Sequence, residues 1–370
     1  MRATKAIIHL DNLRRNIEAA RKKAGAHTRI CLPVKADAYG HGSVAISRTV
    51  LEAGVEYLAV SDLSEGKELR DAGISAPILV LSQALPEELP GIVSLELSLL
   101  VSDGDFIEKA AWTAGQLNRR LRVHLKVDTG MGRLGCRPEE AVSLAAKIVS
   151  LKELVLEGTA THLSVSDSLE SGDIAYTREQ LRRFREAVAS IKRAGIEPGL
   201  LHAANSGGLV FHDESYFDMI RPGIFLYGYS PAASVQGGLN SEPVMELRSA
   251  VVQIKRVKKG EAVSYGRTWT APEDTFIGVI PAGYADGFPR LLSNNHSIRI
   301  RDRIYPLAGR ICMDQCMVNL GPETGVQRWD DALIFGPGFL TAADMAAKLQ
   351  TLSYEITCNI NKRVPRVYVN

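Results

Sequence analysis

The chain has 370 residues, 45% of them hydrophobic and 23% charged, with a formal net charge of +2. This is a globular composition, long enough for two domains, and it gives no bulk electrostatic case for nucleic acid or an anionic membrane. No apolar run approaches the ~20 residues of a membrane helix, the N-terminal segment has no secretory core, and the five scattered cysteines (Cys31, Cys136, Cys312, Cys316 and Cys358) read as reduced thiols of a cytoplasmic protein with no zinc set.

A short β run at residues 5–9 leads into an amphipathic helix over 10–24. Further runs begin near Ile30, Tyr57, Pro77, Glu96, Arg122, Leu156, Gly199 and Met219. Helical periodicity separates most of them, as at 64–72, 138–150 and 177–194. Eight strand–helix units in roughly 200 residues predict an α/β fold, a parallel (β/α)8 barrel. The rival, an open doubly wound sheet, is weakened because no Gly-x-Gly-x-x-Gly follows an early strand. The run at 5–9 is not needed to reach eight. After Tyr229, residues 231–242 are rich in Gly, Ser, Ala and Pro and read as a linker. Short β runs follow at 250–257, 276–281, 297–300, 315–319, 331–335 and 366–369, with one helix at 341–351. They predict a smaller, mainly β domain.

The ends of the eight barrel runs carry Lys35, Asp62, Ser82, Asp103, Asp128, His162, Asn205 with Ser206, and Arg221. A barrel places its active site at the C-terminal ends of its strands, so these residues are expected to converge on one mouth. Lys35 ends an apolar run and precedes a turn in Val34-Lys35-Ala36-Asp37-Ala38-Tyr39-Gly40-His41-Gly42. A lysine at the rim of a core loses its proton more easily than one in water, and a neutral amine condenses with an aldehyde cofactor. Asn205-Ser206-Gly207-Gly208 follows the seventh run and Arg221-Pro222-Gly223-Ile224 lies in the eighth, and barrels commonly hold phosphate with the loops after these two strands. Together with Lys35 they suggest pyridoxal phosphate. Lys126 through Gly135 follows the fifth run, and its glycines let Arg133 turn back to the mouth to meet a carboxylate or a phenolate.

These segments, in order, resemble the alanine racemase family. They continue through Thr161-His162, Ser264-Tyr265-Gly266, Gly283-Tyr284-Ala285-Asp286-Gly287, Gly309 through Gln315, Tyr354-Glu355 and Arg363-Val364-Pro365-Arg366. The resemblance implies a head-to-tail homodimer that interconverts L- and D-alanine with pyridoxal 5'-phosphate and supplies D-alanine for peptidoglycan. It implies an N-terminal strand at 1–10 packed with the β domain, a barrel over 11–238 and a C-terminal domain over 239–370. Lys35 would hold the cofactor as an aldimine and act as the base on one face of Cα. Tyr265, from the partner subunit, would act on the other face. Arg221 would meet the pyridine nitrogen, and Arg133 the phenolate oxygen and the substrate carboxylate.

Tyr39, Ser206, Gly223, Ile224 and Tyr354 would hold the phosphate, with Asn205 beside them. Met313 would offer its backbone N–H near the carboxylate, with Asp314 in support. His162 would hydrogen-bond Tyr265, and Lys126 matches a position that is often carbamylated. Tyr284, Arg290, Arg310 and Asp167 match a substrate entryway. Arg267 and Trp269 depart from the smaller residues common after Ser264-Tyr265-Gly266. The alternatives are a broader serine or lysine racemase, a decarboxylase on the same fold, which Arg221 disfavours, and a non-catalytic pyridoxal phosphate carrier, disfavoured by the β domain that carries Tyr265.

Overall fold

The computed structural model describes residues 2–232 and 239–370; the core of the expected linker, 233–238, lies outside the described residues. The first strand, β1 (Lys5–His9), runs into a helix over Leu10–Ala24. Eight parallel strands follow: β2 (Arg29–Pro33), β3 (Tyr57–Val60), β4 (Ile78–Val80), β5 (Ser98–Val101), β6 (Leu121–Lys126), β7 (Leu154–Ala160), β8 (Leu200–His202) and β9 (Met219–Ile220). They hydrogen-bond in the order β8-β7-β6-β5-β4-β3-β2-β9. The seam between β8 and β9 is narrowed by two backbone bonds, Asp218 N–H to the Leu201 carbonyl (3.0 Å) and Arg221 N–H to the Ala204 carbonyl (2.8 Å). The sheet is therefore a nearly closed barrel.

Most barrel strands are short and apolar because both their faces are covered; β6 and β7 are the exceptions, with Arg122, His124 and Lys126 on the first and Glu157 on the second. Ile30 and Leu32 pack outward into the main core, while Cys31 joins Tyr57, Ala59, Leu79, Leu100, Ala160 and Met219 in a separate internal cluster. Adjacent residues point to opposite faces, as the two-residue period of a strand requires. The expected helices start at slightly different points. A 3-10 turn at Pro138–Glu140 precedes a helix over Ala141–Ser150, and the helix expected from 177 begins at Ser171 and runs to Arg193.

The C-terminal strands are β10 (Met245–Ala250), β11 (Gln253–Val257), β12 (Ala262–Val263), β13 (Trp269–Thr270), β14 (Thr275–Ile280), β15 (Ser297–Ile300), β16 (Arg303–Pro306), β17 (Cys316–Gly321), β18 (Asp331–Phe335) and β19 (Arg366–Val369). They form a six-stranded sheet in the order β16-β15-β18-β10-β1-β19, a three-stranded sheet β11-β14-β17 and the pair β12-β13. β1 lies between β10 and β19, antiparallel to the first and parallel to the second. The run expected over 250–257 corresponds to β11 and only the last residue of β10, so β10 over 245–249 was not expected. The chain changes sheets between β10 and β11: Val251 N–H bonds to the Asp330 carbonyl, and Val252 N–H to that of Val279. The other strands missed from sequence, β12, β13 and β16, are too short or too exposed to show alternation. The late helix is shorter than expected, Ala342–Leu349, and a second short helix, Ser353–Cys358, carries Tyr354.

Candidate active site

Lys35 lies two residues past the end of β2 and opens a turn of unusual hand. Ala36, Asp37, Ala38 and Tyr39 all have φ between 51° and 54°, a left-handed helical turn built without glycine. Such residues cost roughly 1–2 kcal/mol each, so the surrounding structure must impose the turn. The Glu65 carboxylate accepts the Ala36 N–H at 2.7 Å and the Ser61 N–H at 2.6 Å. The Asp37 side chain accepts the Ser43 N–H, and Arg366 donates to the Gly40 carbonyl. Gly40 and Gly42 have positive φ, and a Cβ on Gly40 would meet the Thr357 carbonyl at 2.1 Å. The turn delivers Lys35 from one end and Tyr39 from the other to a single cavity.

That cavity, about 360 Å³, opens at the C-terminal ends of the barrel strands. Its walls include Lys35, Tyr39, Ser82, Lys126, Arg133, His162, His202, Asn205, Ser206, Arg221, Gly223 and Tyr354. Four cations line it, and no carboxylate does among the described residues. Burial, followed by the charge of Arg133, lowers the Lys35 pKa, while Glu65 pulls weakly the other way. Burial and the neighbouring Arg221 hold Lys126 well below the usual lysine range. Its Nζ is buried and hydrogen-bonds to nothing among the described residues. His162 is likewise held neutral by burial and by Arg221. Arg221 donates to His202 Nδ1 at 2.5 Å, to the carbonyls of Thr161 and Ala203, and to His162 Nδ1 at 3.3 Å. Burial brings its pKa down to about 10, which leaves it a cation at neutral pH.

Near Ser206, Asn205 accepts the Gly208 N–H through its side chain, and the Ser206 hydroxyl accepts the Phe225 N–H. A Cβ on Gly223 would meet the Tyr39 hydroxyl at 2.7 Å, so glycine there lets the two walls approach. Ile224 is fully buried, outside the cavity lining, and only its backbone is placed to take part.

The alanine racemase N-terminal domain family matches residues 8–231, and the alanine racemase C-terminal domain family matches residues 244–368. The chain is 49% identical to an alanine racemase of Treponema denticola, over 100% of this chain and 99% of that one. The chain belongs to the alanine racemase family. It is also 42% identical to the alanine racemase of Treponema pallidum over the full length of both. Among solved structures it is similar to alanine racemase of Clostridium difficile, with a TM-score of 0.94 and 34% identity over 100% of this chain and 96% of that one. It is also similar to the Bacillus anthracis enzyme solved with bound L-Ala-P, with a TM-score of 0.92 and 30% identity over 100% and 96% of the two chains.

Not every polar residue that ends a barrel strand faces the cavity of this alanine racemase family member. Asp62 caps a helix by accepting the N–H groups of Ser64 and Glu65, and Asp103 caps another through Phe106 N–H. Asp128 accepts three successive N–H groups, those of Gly130, Met131 and Gly132, and so shapes the loop that carries Arg133 to the wall. These three carboxylates serve the backbone because helix and loop N–H groups begin where strands end.

Seven other expected site residues are not among the cavity's walls within one chain. Tyr265 is 69% exposed and Met313 52% exposed; Asp314, Tyr284, Arg290, Arg310 and Asp167 are also outside the lining. Arg363 joins Asp314 to the buried Asp286, with an N···O distance of 2.8 Å to each. His202 and Glu65 were missed from sequence. Each is a single polar residue without a motif, and its partner is remote in the chain.

Proposed function

We propose that this protein interconverts L- and D-alanine, with pyridoxal 5'-phosphate held on Lys35 and a second copy of the chain completing each site. The observation that carries this reading is a lysine of lowered pKa on a strained turn, in a cavity lined by basic side chains and, among the described residues, by no carboxylate, with Arg221 where a decarboxylase of this fold needs an acid. The cofactor, when bound, withdraws electrons from the bond to the substrate's Cα hydrogen. The fit is chemical: a phosphate and a substrate carboxylate supply the negative charge that Lys35, Lys126, Arg133 and Arg221 lack among the cavity's own residues.

Tyr39, Ser206 and Tyr354, with the backbone of Gly223 and Ile224, would hold the phosphate, and Asn205 fixes the loop that presents Ser206. Arg221 would face the ring nitrogen, and because arginine does not give up its proton readily, it would offer that nitrogen a hydrogen bond and no transferable proton. Arg133 would hold the phenolate oxygen and orient the substrate carboxylate, assisted by the Met313 N–H. Lys35 takes or returns the Cα proton on one face, which its lowered pKa favours. Tyr265 does so on the opposite face. Its exposure within one chain fits a side chain that enters the cavity of a partner, and neutral His162 is an available hydrogen-bond partner there.

Burial and Arg221 lower the pKa of Lys126, whose Nζ has no partner among the described residues, and this favours the loss of the proton that the amine must give up to add carbon dioxide. The resulting carbamate would give Arg133 an anion. Tyr284, Arg290, Arg310 and Asp167 would form the entryway, with Asp314 anchoring the Met313 loop through Arg363. The expected setting is the cytoplasm, where D-alanine would feed peptidoglycan synthesis.

Mixing two inactive variants tests the shared site. A Lys35→Ala subunit paired with a Tyr265→Phe subunit has one intact site if the two bases come from different chains. Statistical mixing then restores about a quarter of the wild-type activity. No recovery in mixed dimers refutes the shared site. Running L-alanine, L-serine and L-lysine in deuterated water, and following Cα exchange and D-isomer formation, tests the substrate. Carbon dioxide release in place of exchange rejects the racemase reading.

A further inference from the structure

A column of polar side chains runs through the barrel interior, beyond the groups assigned to the reaction. Arg221 is 6% exposed, and no carboxylate contacts it among the described residues. Its Nη1 donates to His202 Nδ1. His202 Nε2 lies 2.9 Å from His124 Nδ1, and His124 Nε2 lies 2.9 Å from Glu157 Oε2. The Ser98 hydroxyl donates to the same carboxylate oxygen at 2.6 Å. Both imidazoles are fully buried.

Only one arrangement of protons satisfies this column. A guanidinium can only donate and a carboxylate can only accept. His202 therefore accepts at Nδ1 and donates from Nε2, and His124 does the same. Every donor points from the cavity floor toward Glu157.

Two features show that the fold is adapted to hold the column. Along β6 and β7, Val123 pairs with Leu156 and His124 pairs with Gly158, so Glu157 is the extra residue of a bulge. A bulge re-aims a side chain that strict alternation would place elsewhere. A Cβ on Gly158 would lie 2.3 Å from His124 Nδ1, so glycine is what leaves room for the ring. Barrel interiors are ordinarily filled by Val, Ile and Leu, and buried polar groups are costly unless paired.

We propose that Glu157 is the counter-charge of the buried Arg221, coupled to it through two neutral imidazoles, and that it acts as a positioning residue limiting the positive potential the cavity floor presents to the cofactor ring. This rests on the pyridoxal phosphate reading of the cavity. Burial by itself pushes the Glu157 carboxyl toward its neutral form. The hydrogen bonds from His124 and Ser98, with the charge of Arg122, outweigh that push and keep it ionised. At this outer end Arg122 stands 3.8 Å from Glu157 and is half exposed; at the inner end Lys126, Arg133 and Lys35 are the other charged groups facing the cavity.

The test uses Glu157→Gln in the cofactor-loaded protein, because glutamine keeps an acceptor for His124 and removes only the charge. With the charge gone, a proton near the cofactor leaves more easily. The pH midpoint of the cofactor's visible absorption change should fall by about 0.5 pH or more, and pyridoxal phosphate should bind at least as tightly as in the wild type. Glu157→Asp keeps the charge and should keep the wild-type midpoint. A purely structural role for Glu157 would instead loosen the cofactor and leave the midpoint where it was. An unchanged or raised midpoint in loaded Glu157→Gln overturns the proposal.

Nitrogen-15 spectra of histidine-labelled wild type provide a measurement that needs no variant. At neutral pH His124 and His202 should both carry a single ring proton, on Nε2, as the donor–acceptor order of the column requires. A proton on Nδ1, or an imidazolium at either residue, overturns the column. If the wild type binds no pyridoxal phosphate, the cavity reading fails, while the nitrogen-15 result still decides the column.

Discussion

Glu65 never enters the cavity, yet the position of Lys35 depends on it. The left-handed turn over Ala36–Tyr39 contains four non-glycine residues, which together store about 4–8 kcal/mol of backbone strain. Glu65 bridges the turn to the end of β3 by accepting two N–H groups, at 2.7 and 2.6 Å. Charge-assisted bonds of this kind contribute about 1.5–3 kcal/mol each when buried. The carboxylate is only half-buried and water can replace part of each bond, so about 1 kcal/mol each is the appropriate scale. Glu65→Ala therefore removes about 2 kcal/mol from the turn, a factor of about 30 in its population. Lys35 and Tyr39 sit at its two ends, so cofactor affinity should fall by about the same factor. Titrating the cofactor-free protein with pyridoxal phosphate and following visible absorption gives the dissociation constant directly. Glu65→Gln retains one acceptor and should fall between wild type and the alanine variant. If Glu65→Ala bound the cofactor within about twofold of wild type, the strained turn would not depend on this clamp.

The lowered Lys35 pKa has a sign that can be checked. Arg133 disfavours the charged amine, so Arg133→Gln should raise the pKa and move the pH midpoint of pyridoxal phosphate uptake upward; an unmoved or lower midpoint contradicts the assignment. Acid stability checks the buried histidines. Burial holds His41 and His296 at about 4, below the 6.5 of a free histidine. The unfolded chain therefore binds more protons than the folded one between those values. Stability should be intact above pH 6.5 and should decline on acidification toward pH 4, by about 1.4 kcal/mol per pH for each histidine. Urea midpoints measured from neutral pH downward should fall accordingly, and His41→Gln should flatten the decline; a pH-independent midpoint contradicts it.

The eight barrel strands are legible in the sequence because a parallel strand covered on both faces is a plain apolar run. The residues after those runs are legible as candidates for the same reason, since a polar group ending an apolar run stands out. What that pattern cannot do is separate cavity residues from caps. Lys35, Ser82 and Arg221 face the cavity, whereas Asp62 and Asp103 bind helix N–H groups and Asp128 binds loop N–H groups. His124 and Glu157 do leave a trace, each as a lone polar residue inside a β run. Their pairing is invisible, because His124 meets His202 across 78 positions and Glu157 across 33. The left-handed turn leaves almost no trace: Ala-Asp-Ala-Tyr contains no glycine, and only Asp37 is of a type that visits positive φ, singly and not as part of a helical turn.

Sequence alone determined the periodicities, and with them the order of elements and the chemical types available at the barrel mouth: an amine, guanidinium groups, hydroxyls and glycines. These follow from local spacing, which acts over a few residues. Tertiary structure decided what those groups become. It lowers the Lys35 pKa by burial and a neighbouring cation, bends residues 36–39 against their own preference with bonds from Glu65 and Arg366, and uses a one-residue bulge to turn Glu157 toward the imidazole column beneath Arg221. Desolvation, strain and charge pairing arise only when distant segments share one interior, so the closed barrel sets them and the linear order of residues does not.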